Sequence, residues 1–126
     1  MNTTRFYIDG AWVAPLSSQT LPIENPATEE IVGQLALGSV ADTDRAIDAA
    51  RAAFDGWTTT PVADRIAAVK RLLAAYNDRA EELAQAMTTE MGAPITWSRE
   101  AQVWAGSAHI EATIAAAEAM AWEEMR

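Results

Sequence analysis

Few side chains in this sequence have the type and spacing that catalysis requires. His109 is the only histidine and cysteine is absent, so the chain holds neither a thiol nucleophile nor two histidines for a metal ion. The six glycines stand singly and form neither a G-x-G-x-x-G turn nor a phosphate-binding loop. The sequence therefore predicts no catalytic residue and no cofactor-binding residue, and His109 is expected to be an ordinary helix residue.

Carboxylates are the other groups that could do acid–base chemistry. Paired carboxylates act as acid and base only where burial separates their pKa values. Sequence neighbours on a helix point in different directions, which favours solvated charge over a shared site. We therefore expect no acid–base site at the adjacent pairs, which are Glu29-Glu30, Glu81-Glu82 and Glu123-Glu124.

The charge and hydropathy of the chain exclude several classes of partner. With 18 acidic and 9 basic residues the net charge is -9, which disfavours binding to the phosphates of nucleic acid. No stretch approaches the roughly 20 apolar residues of a membrane-spanning helix, and the first residues contain no apolar leader. We therefore expect a cytoplasmic protein without nucleic-acid or membrane partners.

The first 38 residues predict two β-hairpins. Asp9-Gly10 lies between two short apolar runs and is typical of a two-residue hairpin turn. A second apolar run contains Pro22, and a turn-rich segment at 25–28 separates it from a strand over 31–37. Because Pro22 lacks a backbone N–H, its strand is expected at a sheet edge.

Two helices with recognisable ends follow the hairpins. Helix A is predicted to begin at a capping box of Ser39 and Asp42 and to end near Asp55. Helix B is predicted to begin with Thr60 as its cap and to end at Gly92, a residue that tolerates the left-handed conformation. Its apolar residues are spaced alternately three and four apart, which indicates a one-sided surface helix.

A third helix, helix C, is expected to begin near Thr96 or Ser98 and to continue almost to the end of the chain. Its apolar residues fall on two faces, and such a helix normally packs between two layers. A chain of 126 residues predicts a single modest core, so one of those faces has no evident partner. The first face holds Val103, Ile110, Ile114, Ala117 and Ala121, and the second holds Trp97, Trp104, Ala108 and Ala115.

A succession of short motifs closely resembles the start of aldehyde dehydrogenases. Each motif alone is weak, but their order and spacing are fairly specific and span nearly the whole chain. Two positions depart from the family pattern, so the motifs do not indicate a subfamily. Glu29 stands where the family often has glycine, and Ala93 stands where lysine is frequent. The matching motifs are Tyr7 to Val13, Glu24 to Gly33, Ala46 to Phe54 with Trp57, Arg65 to Leu73, and Glu90 to Pro94.

The resemblance implies an α+β fragment of the α/β aldehyde dehydrogenase fold. Residues 1–126 would be the amino-terminal part of its cofactor-binding domain, with the hairpins in 1–38 and the helices in 39–126. The family oxidises an aldehyde to a carboxylic acid with NAD or NADP and a cysteine nucleophile, and this chain has no cysteine. The resemblance therefore implies a structural segment that is inactive and binds no nicotinamide cofactor by itself.

The resemblance also implies a site for a monovalent cation, K or Na. Many family members hold such a cation with main-chain carbonyls just before the N-P motif and with an acidic side chain before the glycine of an E-x-G-K-P turn. The matching positions here are Ile23, Glu24 and Glu90. Hard cations prefer oxygen ligands, which suits these groups. The alternative is that Glu90 only caps or solvates the end of helix B.

Two functions of different classes remain open from the sequence. The first is the amino-terminal segment of an NAD(P)-dependent aldehyde dehydrogenase, whose partner is the remainder of the subunit. The second is a non-catalytic helical self-association module derived from that family, in which helix C buries its second face against another copy in a homo-oligomer. The sequence does not indicate the aldehyde substrate.

Overall fold

A computed structural model describes residues 3–123, and these form two compact units that divide between Thr59 and Thr60. The sequence predicted one modest core, and each unit is described by itself below. The buried apolar residues are few in each unit, namely Ile8 and Ala36 in the first and Ala84, Val103 and Ile114 in the second. Within the described residues, no helix is both long enough and apolar enough to cross a membrane.

The first unit opens with the predicted hairpin of β1 (Phe6–Ile8) and β2 (Ala11–Val13), paired antiparallel. Its turn residues Asp9 and Gly10 both have positive φ angles, of 52° and 74°. A two-residue turn of this mirror-image type requires such angles because its twist matches that of the strands. The prediction of a hairpin turn at Asp9-Gly10 is confirmed.

The second predicted hairpin is also present, formed by β3 (Thr20–Asn25) and β4 (Glu30–Ala36). The Asn25 side chain accepts a hydrogen bond from the Ala27 N–H at 2.9 Å and so shapes the turn. Glu29 has φ 57°, a conformation that costs a non-glycine residue about 1–3 kcal/mol. This explains physically why a glycine would suit the position better.

Helix A corresponds to α1 (Val40–Thr58), and its predicted capping box is confirmed. The Ser39 hydroxyl accepts from the Asp42 N–H, and the Asp42 carboxylate accepts from the Ser39 N–H. The helix continues past the predicted end near Asp55 and includes Gly56. It continues because Gly56 keeps a helical backbone, with no positive φ angle that would end the helix there.

Helix B is divided in two, which the sequence did not predict. It consists of α2 (Val62–Asp78) and α3 (Ala80–Met91), separated at Arg79, where the N–H donates to Tyr76 O at 3.1 Å. The predicted cap at Thr60 is wrong, since Pro61 takes the N-cap position without a side-chain cap. The predicted end at Gly92 is confirmed, with a left-handed φ of 68°.

The last helical stretch has three segments: α4 (Ile95–Trp97), a π-helical segment (Ser98–Val103) and α5 (Trp104–Ala119). The π segment was not predicted, and the stretch ends earlier than expected. It packs against α2, where the Tyr76 hydroxyl donates to Val103 O at 3.0 Å. The overall prediction of two hairpins followed by helices is confirmed.

Gly106 lets the Tyr76 ring approach the backbone of α5, because a Cβ at this position would overlap the Tyr76 hydroxyl. We expect Gly106→Ala to lower the free energy of unfolding by about 1–3 kcal/mol, as overpacking does. Gly56→Ala is the matched control, since a Cβ there meets nothing within 4 Å. That control is expected to raise stability by up to about 1 kcal/mol, because alanine favours a helix over glycine. Urea denaturation measures both, and equal stability of the two variants would contradict the close approach.

Candidate functional site

Ile23 and Glu24, two of the three residues of the predicted cation site, lie next to each other on β3 at an irregularity of the sheet. Ile23 pairs with Gly33, whereas Glu24 pairs with Ile31, so Val32 has no partner on β3. Such a bulge interrupts the regular ladder of backbone hydrogen bonds. Ile23 is half-buried and Glu24 is exposed. The main-chain groups proposed as ligands therefore lie where strand pairing is disturbed.

Glu90, the third predicted ligand, lies in the last turn of α3, two residues before the helix ends at Gly92. Its side chain is half-buried. Glu90 belongs to the second unit, whereas Ile23 and Glu24 belong to the first. Residues 3–123 contain no cluster of three or more His, Asp or Glu side chains placed to hold a metal ion.

Asp42 is the carboxylate most firmly held within the first unit. Its exposed fraction is only 4%, and its oxygens accept hydrogen bonds from the Leu16 N–H at 2.9 Å, the Ser39 N–H at 2.9 Å and the Ser39 hydroxyl at 2.7 Å. The backbone N–H groups of Ser39 and then Leu16 lower the pKa of the Asp42 carboxyl from its usual value. Asp42 therefore ties the segment before β3 to the start of α1.

A second carboxylate contact joins α3 to the π segment. The Arg99 guanidinium donates to both oxygens of Glu81, at 2.8 and 2.6 Å, and Gln85 donates to Glu81 as well at 2.8 Å. These hydrogen bonds, with Arg99 contributing most, lower the pKa of Glu81 to about 2. The side chains of Arg99 and Glu81 remain about half exposed, so solvent screens the pair. Glu81 thus positions one helix against another and is not an acid–base group.

The other carboxylate pairs and the histidine also lack the features of a catalytic site. Glu82 pairs with Arg79 at 2.7 Å on the surface, and Glu29 and Glu30 are exposed. Glu123 is exposed, whereas Glu124 lies outside the described residues. His109 is exposed on α5. The Ser39 hydroxyl donates to the Asp42 carboxylate at 2.7 Å, but this pair forms the capping box of α1. The carboxylates described here therefore act in positioning the elements.

Exposed apolar faces are the most prominent surface feature of both units. Trp97 and Trp104, on the second face predicted for helix C, are 60% and 64% exposed, while Val103 and Ile114 on the first face are buried. The two-faced pattern of helix C is thus confirmed, with one face packed and the other open. Single exposed apolar residues are ordinary, but contiguous apolar patches mark interaction surfaces.

The first unit has a comparable surface along α1. Large apolar side chains of α1 are left uncovered by the described residues: Val40 is 79% exposed, Phe54 62% and Trp57 51%. On the first hairpin, the paired residues Tyr7 and Trp12 contact edge to face with their ring centroids 5.4 Å apart, and both rings remain exposed. We call the open side of α1 and the Trp97–Trp104 side of the last stretch the apolar faces.

Comparisons with known proteins show which family this chain resembles. Residues 12–126 match the family model of the aldehyde dehydrogenase family. A 3-succinoylsemialdehyde-pyridine dehydrogenase from Pseudomonas sp is 44% identical over 90 residues, which cover 71% of this chain and 19% of that relative. The chain therefore spans about a fifth of the length of that relative.

Solved structures share the fold of the described residues. A crystal structure of aldehyde dehydrogenase from Bartonella henselae matches with a TM-score of 0.95 and 38% identity, over 97% of this chain and 26% of that one. Aldehyde dehydrogenase C from Pseudomonas syringae, a mutant in complex with NAD+ and octanal, matches with a TM-score of 0.95 and 42% identity, over 98% of this chain and 26% of that one. The chain thus spans about a quarter of these structures.

The hydrogen bonds to Asp42 predict a specific dependence of stability on pH. A carboxyl whose pKa is lower in the folded than in the unfolded chain stabilises the fold above its unfolded pKa of about 3.9, and this contribution is lost as the pH falls through the lower folded pKa. We expect Asp42→Asn to lower the urea midpoint at pH 7, and the gap from the unsubstituted chain to shrink as the pH falls below about 4.

The control for this experiment is Asp48→Asn, because Asp48 is exposed and meets Arg51 only at 3.9 Å on the surface. That substitution is expected to leave the urea midpoint nearly unchanged both at pH 7 and below about pH 4, since exposed ion pairs contribute little to stability. A gap for Asp42→Asn that has the same size at neutral and acid pH would show that the ionised carboxylate is not the stabilising group.

Proposed function

The chain belongs to the aldehyde dehydrogenase family, and from this we propose that it is the amino-terminal part of the cofactor-binding domain of an aldehyde-oxidising subunit. Its role there is structural: residues 1–38 supply the hairpins and 39–126 the helices that support the rest of that domain. The aldehyde is oxidised to a carboxylic acid with NAD or NADP, by groups that the remainder of the subunit provides. We place this activity in the cytoplasm.

The observation that carries this proposal is the match of nearly the whole described fold to about a quarter of two larger enzymes. The apolar faces support it independently. Side chains such as Phe54, Trp97 and Trp104 gain about 25 cal/mol for each Å² of apolar surface that a partner removes from water. The remainder of a subunit is a partner with enough surface to cover them.

The chain alone is proposed to be inactive and to bind neither NAD nor NADP. It contains no cysteine and no glycine-rich turn that could hold a dinucleotide phosphate. The relative from Pseudomonas syringae was crystallised with NAD+, which supports a nicotinamide cofactor for the complete enzyme.

We also propose a monovalent cation site, for K or Na, formed by the main-chain carbonyls of Ile23 and Glu24 and the carboxylate of Glu90. The bulge at Ile23 and Glu24 supports it, because backbone oxygens there are less committed to strand pairing. Crystals of the chain soaked in thallium are expected to show an anomalous peak at these oxygens, weakened in Glu90→Gln. Crystals without a peak there would contradict the site.

Self-association is the second candidate function, and the open Trp97–Trp104 face is the observation that favours it. In that case the chain is a non-catalytic module and the second face of the last stretch is covered by another copy. Sedimentation equilibrium of the purified chain distinguishes the candidates, because a dimer that Trp104→Ser dissociates would favour self-association. A folded monomer would contradict self-association and would favour packing of the open Trp97–Trp104 face against the remainder of a subunit.

A chimaeric enzyme tests the proposed function directly. The aligned quarter of aldehyde dehydrogenase C from Pseudomonas syringae, in its unsubstituted form and not the crystallised mutant, is replaced by this chain, and NAD+ reduction with octanal is followed. We expect measurable turnover, slower than the parent by up to about 100-fold, because a displacement of about 1 Å in supporting residues can cost that much.

The matched control is the same relative with its aligned quarter deleted and nothing put in its place. That protein is expected to be inactive, since the surface of the relative against which the deleted quarter packs would be exposed to solvent. A chimaera that folds and assembles like the parent, yet turns over octanal no faster than the deletion control, would contradict the structural role proposed for the chain.

A further inference from the structure

A groove of about 400 Å³ runs along the second unit between α2 and the end of α5. Its walls are apolar and are formed mainly by Val62 and Ile66 from α2, and by Ala117 and Trp122 from α5 and the segment after it. Lys70 and Glu118 also line the groove, but they pair with each other at 2.6 Å. The charges of that ion pair therefore balance, and the rest of the groove offers apolar surface.

Trp122 is held in place at the edge of this groove. Its indole N–H donates to Ala117 O at 2.9 Å, and so occupies one of the carbonyls that the end of α5 leaves without a helical partner. The ring is thereby folded back toward the helix. A fixed aromatic side chain that is still 46% exposed provides a preformed wall for a bound segment.

Arg65 supplies an uncompensated positive charge beside that wall. Its guanidinium carbon lies 5.6 Å from the centre of the Trp122 ring, in a cation–π contact. The Nε–H group of Arg65 is buried and donates to no acceptor among the described residues. Within residues 3–123, Arg79, Arg99 and Lys70 each pair with a carboxylate, whereas Arg65 does not. A buried donor without an acceptor is costly, so this position favours an incoming acceptor.

We propose that the groove binds an apolar segment of the remainder of the subunit, and that a carboxylate of this segment pairs with the Arg65 guanidinium. The charge complementarity identifies the occupant: the groove offers apolar surface, an aromatic wall and one guanidinium that lacks an anion. The relatives, of which this chain spans about a quarter, have the additional chain to supply such a segment. The proposal rests on the proposed function for the source of the segment.

The carboxylate is tested with two short peptide probes and the ¹⁵N-labelled chain. The probes are acetyl-Leu-Glu-Leu-amide and its neutral counterpart acetyl-Leu-Gln-Leu-amide, and the readout is the indole N–H signal of Trp122 in NMR spectra. Trp122→Phe identifies that signal by removing it. We expect the Glu probe to shift the signal saturably, and the Gln probe to bind about tenfold more weakly, because a charged hydrogen bond to arginine is lost.

Variants of α2 test the arginine. Arg65→Gln is expected to bind both probes equally weakly, and Arg65→Lys is expected to retain part of the preference for the Glu probe, because it keeps the charge without the bidentate geometry. Arg71→Gln is the matched control, since Arg71 is an exposed arginine on the same helix, and it is expected to bind as the unsubstituted chain does. If Arg65→Gln fails to fold, the comparison of the two probes on the unsubstituted chain decides.

Three outcomes would overturn the proposal. One is equal binding of the Glu and Gln probes to the unsubstituted chain, and another is undiminished binding of the Glu probe to a folded Arg65→Gln variant. The third is binding of hexanoate as tight as that of the Glu probe, which would assign the groove to a small carboxylate ligand. Each outcome is independent of the activity of the chimaeric enzyme, so failure of this proposal and failure of the proposed function remain distinguishable.

Discussion

The removal of apolar surface from water is the constraint on which both units depend. Among the described residues only a few small or medium apolar side chains are buried, while tryptophan and phenylalanine side chains on α1 and on the last helical stretch remain open to solvent. Burial of large apolar groups is the main favourable term in folding. Each unit therefore carries more apolar surface than its own described residues cover, and a further packing surface would stabilise it.

Local hydrogen bonds, rather than extensive burial, fix the ends and crossings of the elements. Asp42 accepts three hydrogen bonds and joins the start of α1 to the segment before β3, and the Tyr76 hydroxyl joins α2 to the π segment at Val103. The Glu81–Arg99 pair joins α3 to the same segment. These contacts join elements within each unit, whereas the large apolar side chains of α1 and of the last helical stretch remain exposed.

The sequence predicted the features that depend on near neighbours along the chain. The turn at Asp9-Gly10, the capping box at Ser39 and the end of α3 at Gly92 each follow from the conformational preference of one or two residues. The π segment was missed because its contacts join residues 18 and 27 positions apart, through Arg99–Glu81 and Tyr76–Val103. The break at Arg79 was missed because the apolar spacing of three and four continues across it. The succession of motifs predicted the family, but neither the aldehyde nor the position of Glu90 relative to the other proposed ligands follows from it.

Hydroxyl-radical footprinting of Phe54, Trp97 and Trp104, in the isolated chain and in the chimaeric enzyme, measures directly whether the remainder of a subunit covers the apolar faces. If it does, these side chains are oxidised at the rates of exposed aromatic residues in the isolated chain and several-fold more slowly in the chimaera. Equal oxidation rates in a folded chimaera would contradict coverage by the subunit. Protection that is already complete in the isolated chain would instead assign the faces to self-association.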